Sequence, residues 1–160
     1  MPVIGVLKET AAGETRVALV PHNVAQLVRD KHTVVVQAGA GVAAGSADKE
    51  YLKAGAKIVA SASAVCKAAQ LIVKVRPPTL AEVRHLKKGT ALIGFLAPAA
   101  NQALIKALSA RGVTAYAMEY IPRISRAQGM DALTSMATVA GYRSVLLAAG
   151  TVGKMFPLLM

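Results

Sequence analysis

The 160-residue chain is 54% hydrophobic but only 4% aromatic, with no tryptophan. That is enough apolar material for one compact core, built mostly from Ala, Val and Leu, which suits helices packed closely on a parallel sheet. The net charge of +11 admits phosphate-bearing ligands, an acidic partner or an anionic membrane face. Because the Lys and Arg residues are scattered along the sequence with no interleaved aromatics, the reading is a basic solvated surface and no nucleic-acid partner. The longest uncharged stretch, residues 89–105, is broken by Pro98 and Asn101 and does not read as a membrane span. No secretory signal is expected either, since the N-terminus runs straight into a strand pattern. The lone Cys66 excludes an internal disulfide and fits a reducing compartment, so cytoplasm is the expected location.

In chain order, residues 3–7 form a first apolar run, followed by a polar loop over 8–16. Pro21 suits the first turn of a helix whose apolar face is Val24, Leu27 and Val28. The β-branched run over 33–37 predicts a second strand. The glycine-rich stretch 38–45 invites a dinucleotide reading, but Ala44 stands where the third glycine is usual and no carboxylate occurs over 58–66. It reads as a βα turn. A helix over 48–54 and a strand over 57–59 follow, then a helix capped by Ser61 and an apolar strand over 70–75. Thr79 and Glu82 have the capping-box spacing for a helix running to Lys87. A strand over 90–96, a helix from Asn101 to Ala110 and a strand over 113–118 complete the alternation. His22, His32 and His85 fall in helical or turn contexts and are expected at the surface.

The fold predicted is α/β: a doubly wound parallel sheet with helices on both faces, Rossmann- or flavodoxin-like, plus a long C-terminal helix. That helix is expected over 132–149, with Gly150 and Gly153 able to stop it. The apolar end that follows, 154–160, is expected to dock on the domain or on another subunit, or to belong to something larger. Between the last strand and this helix lies a polar stretch, 122–131, holding Arg123, Arg126, Gln128, Gly129 and Asp131. Open α/β sheets place ligands where strands exit towards helices. Gln128 can meet a carboxamide through both its donor and its acceptor. Arg123 can meet a phosphate or an amide oxygen through its planar fork, and Arg126 is expected to join it. Asp131 can cap the following helix, pair with Arg123 to hold the loop, or favour a positively charged ring nearby.

Ile4-Gly5-Val6-Leu7-Lys8-Glu9, Glu14-Thr15-Arg16-Val17-Ala18, the run from Pro122 to Gln128 and Asp131-Ala132-Leu133 resemble one superfamily. It is the N-terminal domain of alanine dehydrogenase and of the nicotinamide nucleotide transhydrogenase alpha subunit. The Arg-Ile-Ser-Arg-Ala-Gln run favours the transhydrogenase branch. The resemblance implies an oxidoreductase component in which residues 1–130 form the N-terminal α/β domain. Residues 131–160 would lead to a Rossmann NAD domain that this sequence lacks.

It also implies that Arg123, Gln128 and Asp131, with Thr134 beside them, face the nicotinamide of NAD(H). Hydride would pass to NADP in another component, coupled to proton translocation. The implied partners are the Rossmann domain and the membrane and NADP-binding components, with a homodimer a further arrangement. The implied location is cytoplasmic, peripheral to the inner membrane. The complete protein would use NAD(H), whereas this chain alone is expected to bind none and to be inactive. The alternatives are an alanine-dehydrogenase-like domain and a non-catalytic assembly module. In the first, Arg16 and Lys74 fall in matching places, but Phe95-Leu96-Ala97-Pro98 offers no histidine for proton transfer.

Overall fold

A computed structural model describes residues 2–155; the apolar end predicted to dock falls largely at 156–160, outside the described residues. The chain divides into two compact units between Ala117 and Met118.

The first unit alternates strand and helix without interruption: β1 (Val3–Val6), α1 (Pro21–Arg29), β2 (Thr33–Gln37), α2 (Asp48–Lys53), β3 (Lys57–Val59), α3 (Ala62–Ala68), β4 (Leu71–Val73), α4 (Leu80–His85), β5 (Ala91–Gly94), α5 (Gln102–Ala110) and β6 (Thr114–Ala117). The six strands pair in the order β3-β2-β1-β4-β5-β6, every neighbour parallel. The winding reverses between β1 and β4, where Val6 lies opposite both Val36 and Val73.

Strand periodicity sorts the core into two layers. Val34 and Val36 of β2 join Ile4, Val6, Val24 of α1 and Tyr51 of α2. Val35 points the other way, into a cluster with Val65 and Cys66 of α3, Val83 of α4 and Leu104 and Leu108 of α5. Helices therefore cover both faces, as the alternating pattern predicts. Each fully buried Val or Leu stabilises the fold by about 1.5–3 kcal/mol. Gly5 lets α3 sit directly on β1: a Cβ there would lie 2.6 Å from Val65 Cγ1 and 2.7 Å from Ile72 Cδ1.

Helix starts follow the sequence signals. Ser61 Oγ accepts the Ala64 N–H at 3.2 Å, and Thr79 and Glu82 form the reciprocal box at the start of α4. Four strands, β1, β4, β5 and β6, are shorter than the apolar runs that announced them, because those runs record burial as well as pairing. Leu96 and Val113 are core residues beyond the ends of the ladders.

A cluster of three charged groups lies inside this unit. Lys74, 4% exposed, sits between Glu9 and Glu82, 9% and 8% exposed. Its Nζ is 3.2 Å from Glu82 and 3.7 Å from Glu9. The Glu9 carboxylate also accepts the Val75 and Arg76 N–H groups at 2.6 and 3.3 Å.

The second unit holds short 3-10 turns at Met118–Tyr120 and Ser125–Met130, then α6 (Ala132–Thr151). Gly150 lies within α6 instead of stopping it. No helix among the described residues is long and apolar enough to cross a membrane.

Removing one partner of a buried ion pair leaves uncompensated charge, at a cost of about 3–5 kcal/mol. Lys74→Ala is therefore expected to lower the unfolding free energy by an amount of that order in urea titration, whereas Lys106→Ala, on the exposed side of α5, changes it little.

Candidate functional site

The polar stretch builds a small structure of its own. Ile124 is extended, the chain then turns through the 3-10 segment, and Ala127, 4% exposed, anchors that segment among its neighbours. The Asp131 N–H closes the turn on the Gln128 carbonyl at 3.2 Å.

Asp131 then serves as the N-cap of α6. One carboxylate oxygen accepts the Thr134 N–H at 2.9 Å and the other accepts the Thr134 hydroxyl at 2.6 Å. The same hydroxyl oxygen accepts from Arg123 Nη2 at 2.9 Å, and Arg123 Nε lies 3.6 Å from Asp131. Arg123, Thr134 and Asp131 thus form a closed ring of contacts. The hydrogen bonds from Thr134, and then the Arg123 charge, hold the Asp131 carboxyl below its ordinary range.

Gln128 lines the same open cavity of about 670 Å³ as these three residues. Its carboxamide is exposed and forms no side-chain hydrogen bond among the described residues. Ser135 and Thr138 complete one wall. Their hydroxyls are engaged by helix carbonyls, Ser135 with Asp131 at 3.3 Å and Thr138 with Thr134 at 3.0 Å. Arg123, Gln128, Asp131 and Thr134 therefore line one cavity. Arg126 departs from expectation: it is exposed and does not line the cavity. Thr138 was missed, although its spacing of four from Thr134 puts both on one helix face. No group of three or more His, Cys, Asp or Glu that could hold a metal occurs among the described residues.

The crevice at the carboxyl ends of β1 and β2 is a second concavity, about 170 Å³, lined in part by Lys8, Glu9, Glu14, Arg16 and Gly39. Its two carboxylates are each paired within the fold, Glu9 with Lys74 and Glu14 with Arg16. Glu14 takes Arg16 through Nε at 2.7 Å and Nη2 at 2.6 Å, and this pairing draws the Glu14 carboxyl down to about 2. Its stabilising contribution is present above the ordinary carboxylate value of 4.5 and is lost as pH falls from there through about 2. The glycine turn is closed as well. The Gly39 N–H donates to Asp48 at 2.9 Å, and a Cβ on Gly41 would meet the Tyr51 ring at 2.5 Å. These glycines serve a tight turn and a packed tyrosine, in agreement with the βα-turn reading. Of the three histidines, His22 and His85 are exposed as expected, while His32 is half-buried with its Nδ1 unpartnered.

Sequence and structure comparisons agree on the relationship. Residues 5–140 match the family model described as alanine dehydrogenase/PNT, N-terminal domain. The chain is 45% identical over 153 residues to the NAD(P) transhydrogenase subunit alpha of Cereibacter sphaeroides, covering 96% of this chain and 29% of that protein. It superposes on the crystal structure of transhydrogenase from Sinorhizobium meliloti with a TM-score of 0.90 and 39% identity, over 99% of this chain and 47% of that one. A solved L-alanine dehydrogenase gives a TM-score of 0.85 and 37% identity, over 92% and 40%. The chain thus spans less than half the length of these relatives.

The carboxyl of Asp131 contributes stability above its unfolded value of 3.8, which is lost as pH falls through the lower folded value. Thr134→Val keeps the backbone donor and removes the hydroxyl. It is expected to move the Asp131 midpoint up towards 3.8, followed by the side-chain carboxyl shift in an NMR pH titration.

Proposed function

As this chain belongs to the alanine dehydrogenase/PNT N-terminal-domain family, we propose that it acts as the N-terminal domain of an NAD(P) transhydrogenase alpha subunit, with its 123–134 loop facing the nicotinamide of NAD(H). One observation carries this reading. An exposed carboxamide, Gln128, shares an open cavity with an arginine whose orientation is set by Thr134 and Asp131. An unpaired donor and acceptor on one planar group match the carboxamide that a nicotinamide ring carries.

The dinucleotide supplies the transferable hydride, and the protein's task is to hold it in place. Gln128 would grip the ring carboxamide. Arg123, with one Nη2 donor already on Thr134, keeps further N–H groups for an amide or phosphate oxygen. Asp131 acts through its neighbours: both its oxygens are engaged by Thr134, so its role is to cap α6 and fix Arg123. Such a site accelerates transfer by alignment and needs no nucleophile. The adenosine and pyrophosphate would be held by a Rossmann domain, and the hydride acceptor, NADP, by a further membrane-associated component. The chain alone is then expected to bind NADH weakly.

Amino-acid oxidation has less support, even with an L-alanine dehydrogenase among the structural relatives. Lys74 is enclosed by Glu9 and Glu82, Arg16 is paired with Glu14, and Phe95 stands where a proton-transferring histidine would be needed.

In the complete transhydrogenase, Gln128→Ala is expected to slow steady-state hydride transfer by on the order of ten- to a hundredfold while leaving the melting temperature in place. Parallel losses of turnover and melting temperature would assign the loop a purely structural part.

A further inference from the structure

The charge that looks scattered in the sequence is gathered by the fold. Residues 61–117 contain eight Lys and Arg but a single carboxylate, Glu82. Glu82 is buried against Lys74 and the start of α4. Six of those cations remain exposed on or beside α3, α4 and α5: Lys67, Arg84, Lys87, Lys88, Lys106 and Arg111.

Direct contacts place five of them together. Lys87 Nζ donates to the Lys67 carbonyl. Arg111 donates through Nε to the Leu86 carbonyl at 2.8 Å and through Nη2 to the Arg84 carbonyl at 2.6 Å. A Cβ on Gly112 would lie 3.0 Å from Lys88 Cγ. Between α4 and α5 these cations rim a groove of about 420 Å³, whose apolar lining is Leu80, Val83, Ala107 and Ala110 and whose charged edges are Arg84 and Arg111. Leu80 is 51% exposed.

We propose that this groove is a docking surface for an acidic polypeptide segment that inserts an apolar side chain between α4 and α5. Cations at a helix C-terminus complement its dipole, and Lys67 in the last turn of α3 and Arg84 in the last turn of α4 do so. That accounts for one or two charges. The remainder, in the α4–β5 connection and along α5, repel one another with no exposed acid on α3, α4 or α5 to offset them. An acidic partner removes that repulsion and gains steering on approach. The concavity selects among anionic partners. A bilayer presents a broad headgroup surface that leaves the groove floor unfilled, whereas one leucine-sized side chain reaches Val83 and Ala107. No aromatic side chain lines the groove to stack a base.

The test uses the 160-residue chain and a fluorescein-labelled peptide of three Glu-Leu-Glu-Glu-Leu repeats. Three comparison probes are the same peptide with Ser for every Leu, and phosphatidylcholine vesicles with and without a quarter phosphatidylserine. The Leu peptide is expected to bind saturably and to weaken at least about tenfold in 0.5 M NaCl. It should also weaken at least about tenfold with the double variant Lys87→Glu and Lys88→Glu, and several-fold with Leu80→Gln or with the Ser peptide. Lys49→Glu with Lys53→Glu, on α2 across the sheet, should leave binding in place. Circular dichroism melts of each variant separate loss of the surface from loss of the fold. Absence of saturable binding by the Leu peptide overturns the proposal. So does equal binding of the two peptides, which is charge attraction alone, or tighter binding to the anionic vesicles, which assigns the face to a bilayer.

Discussion

The ammonium of Lys74 is closed off from water at the carboxyl end of β4, and much of the first unit is arranged to make that tolerable. A buried cation is costly unless its surroundings replace what water supplied. Two carboxylates do so here, from two different parts of the chain. Glu9 leaves β1, and it also accepts the N–H groups of Val75 and Arg76, clipping the loop after β1 to the segment after β4. Glu82 belongs to α4, and it also accepts the Thr79 N–H at 2.7 Å, so the same group fixes where that helix starts. The join between the two halves of the sheet, where β1 meets β4, is therefore held by charge as well as by the ladder. Open α/β sheets bind ligands at such a reversal point. In this chain that position is filled by internal pairs: Lys74 with Glu9 and Glu82, Arg16 with Glu14, and Asp48 on the Gly39 N–H.

The second unit uses the same chemistry in the opposite setting. Arg123, Thr134 and Asp131 also join a cation, a hydroxyl and a carboxylate, but Arg123 keeps 67% of its side-chain surface in solvent. An exposed pair of this kind contributes little to stability, since water screens it. Its effect is geometric. With both oxygens of Asp131 engaged and Arg123 drawn to Thr134, two side chains that could swing freely are fixed relative to the helix start. Gln128 lines the same cavity, with no side-chain hydrogen bond among the described residues. Burial at Lys74 makes the ion cluster structural, and exposure at Arg123 makes the ring of contacts a positioning device.

Much of this was legible in the residues, for identifiable reasons. The β-branched run over 33–37 gave β2 its bounds because strand preference and burial coincide there. The Thr79–Glu82 spacing predicted its capping box because that motif is local. The cluster of Arg123, Gln128, Asp131 and Thr134 could be read because all four fall within a dozen residues of one turn and one helix start. What escaped was non-local or depended on the end of a ladder. No short motif marks Lys74 for burial, because its partners Glu82 and Glu9 lie 8 and 65 positions away and only the fold brings all three together. Apolar runs overstated β1, β4, β5 and β6, since a buried residue need not be paired. Gly150 was read as a stop, yet the helix continues through it, its backbone bonds outweighing the modest cost of one glycine. Arg126 looked like a member of the site because proximity in sequence was taken for a shared direction, and a 3-10 turn sends neighbouring side chains to different sides.

A physical criterion separates the finished parts of this molecule from the open ones. In the first unit, the charged groups at the join of β1 and β4 close on each other, and most of the apolar side chains of β1 and β2 are inside. The second unit ends differently. Along α6, Val139, Tyr142, Val145 and Leu147 are each more than half exposed, and its apolar residues surround the axis instead of forming one stripe. A helix apolar on all sides is normally an interior helix, and apolar surface left in water forgoes about 25 cal/mol per Å². The same unit carries the unpartnered Gln128 carboxamide. Both features are groups without complements among the described residues of the 43 that follow the sheet. A unit with unmet hydrogen-bonding capacity on its loop and unmet apolar surface on its helix is suited to work against other surfaces, and the self-satisfied sheet before it is suited to hold still.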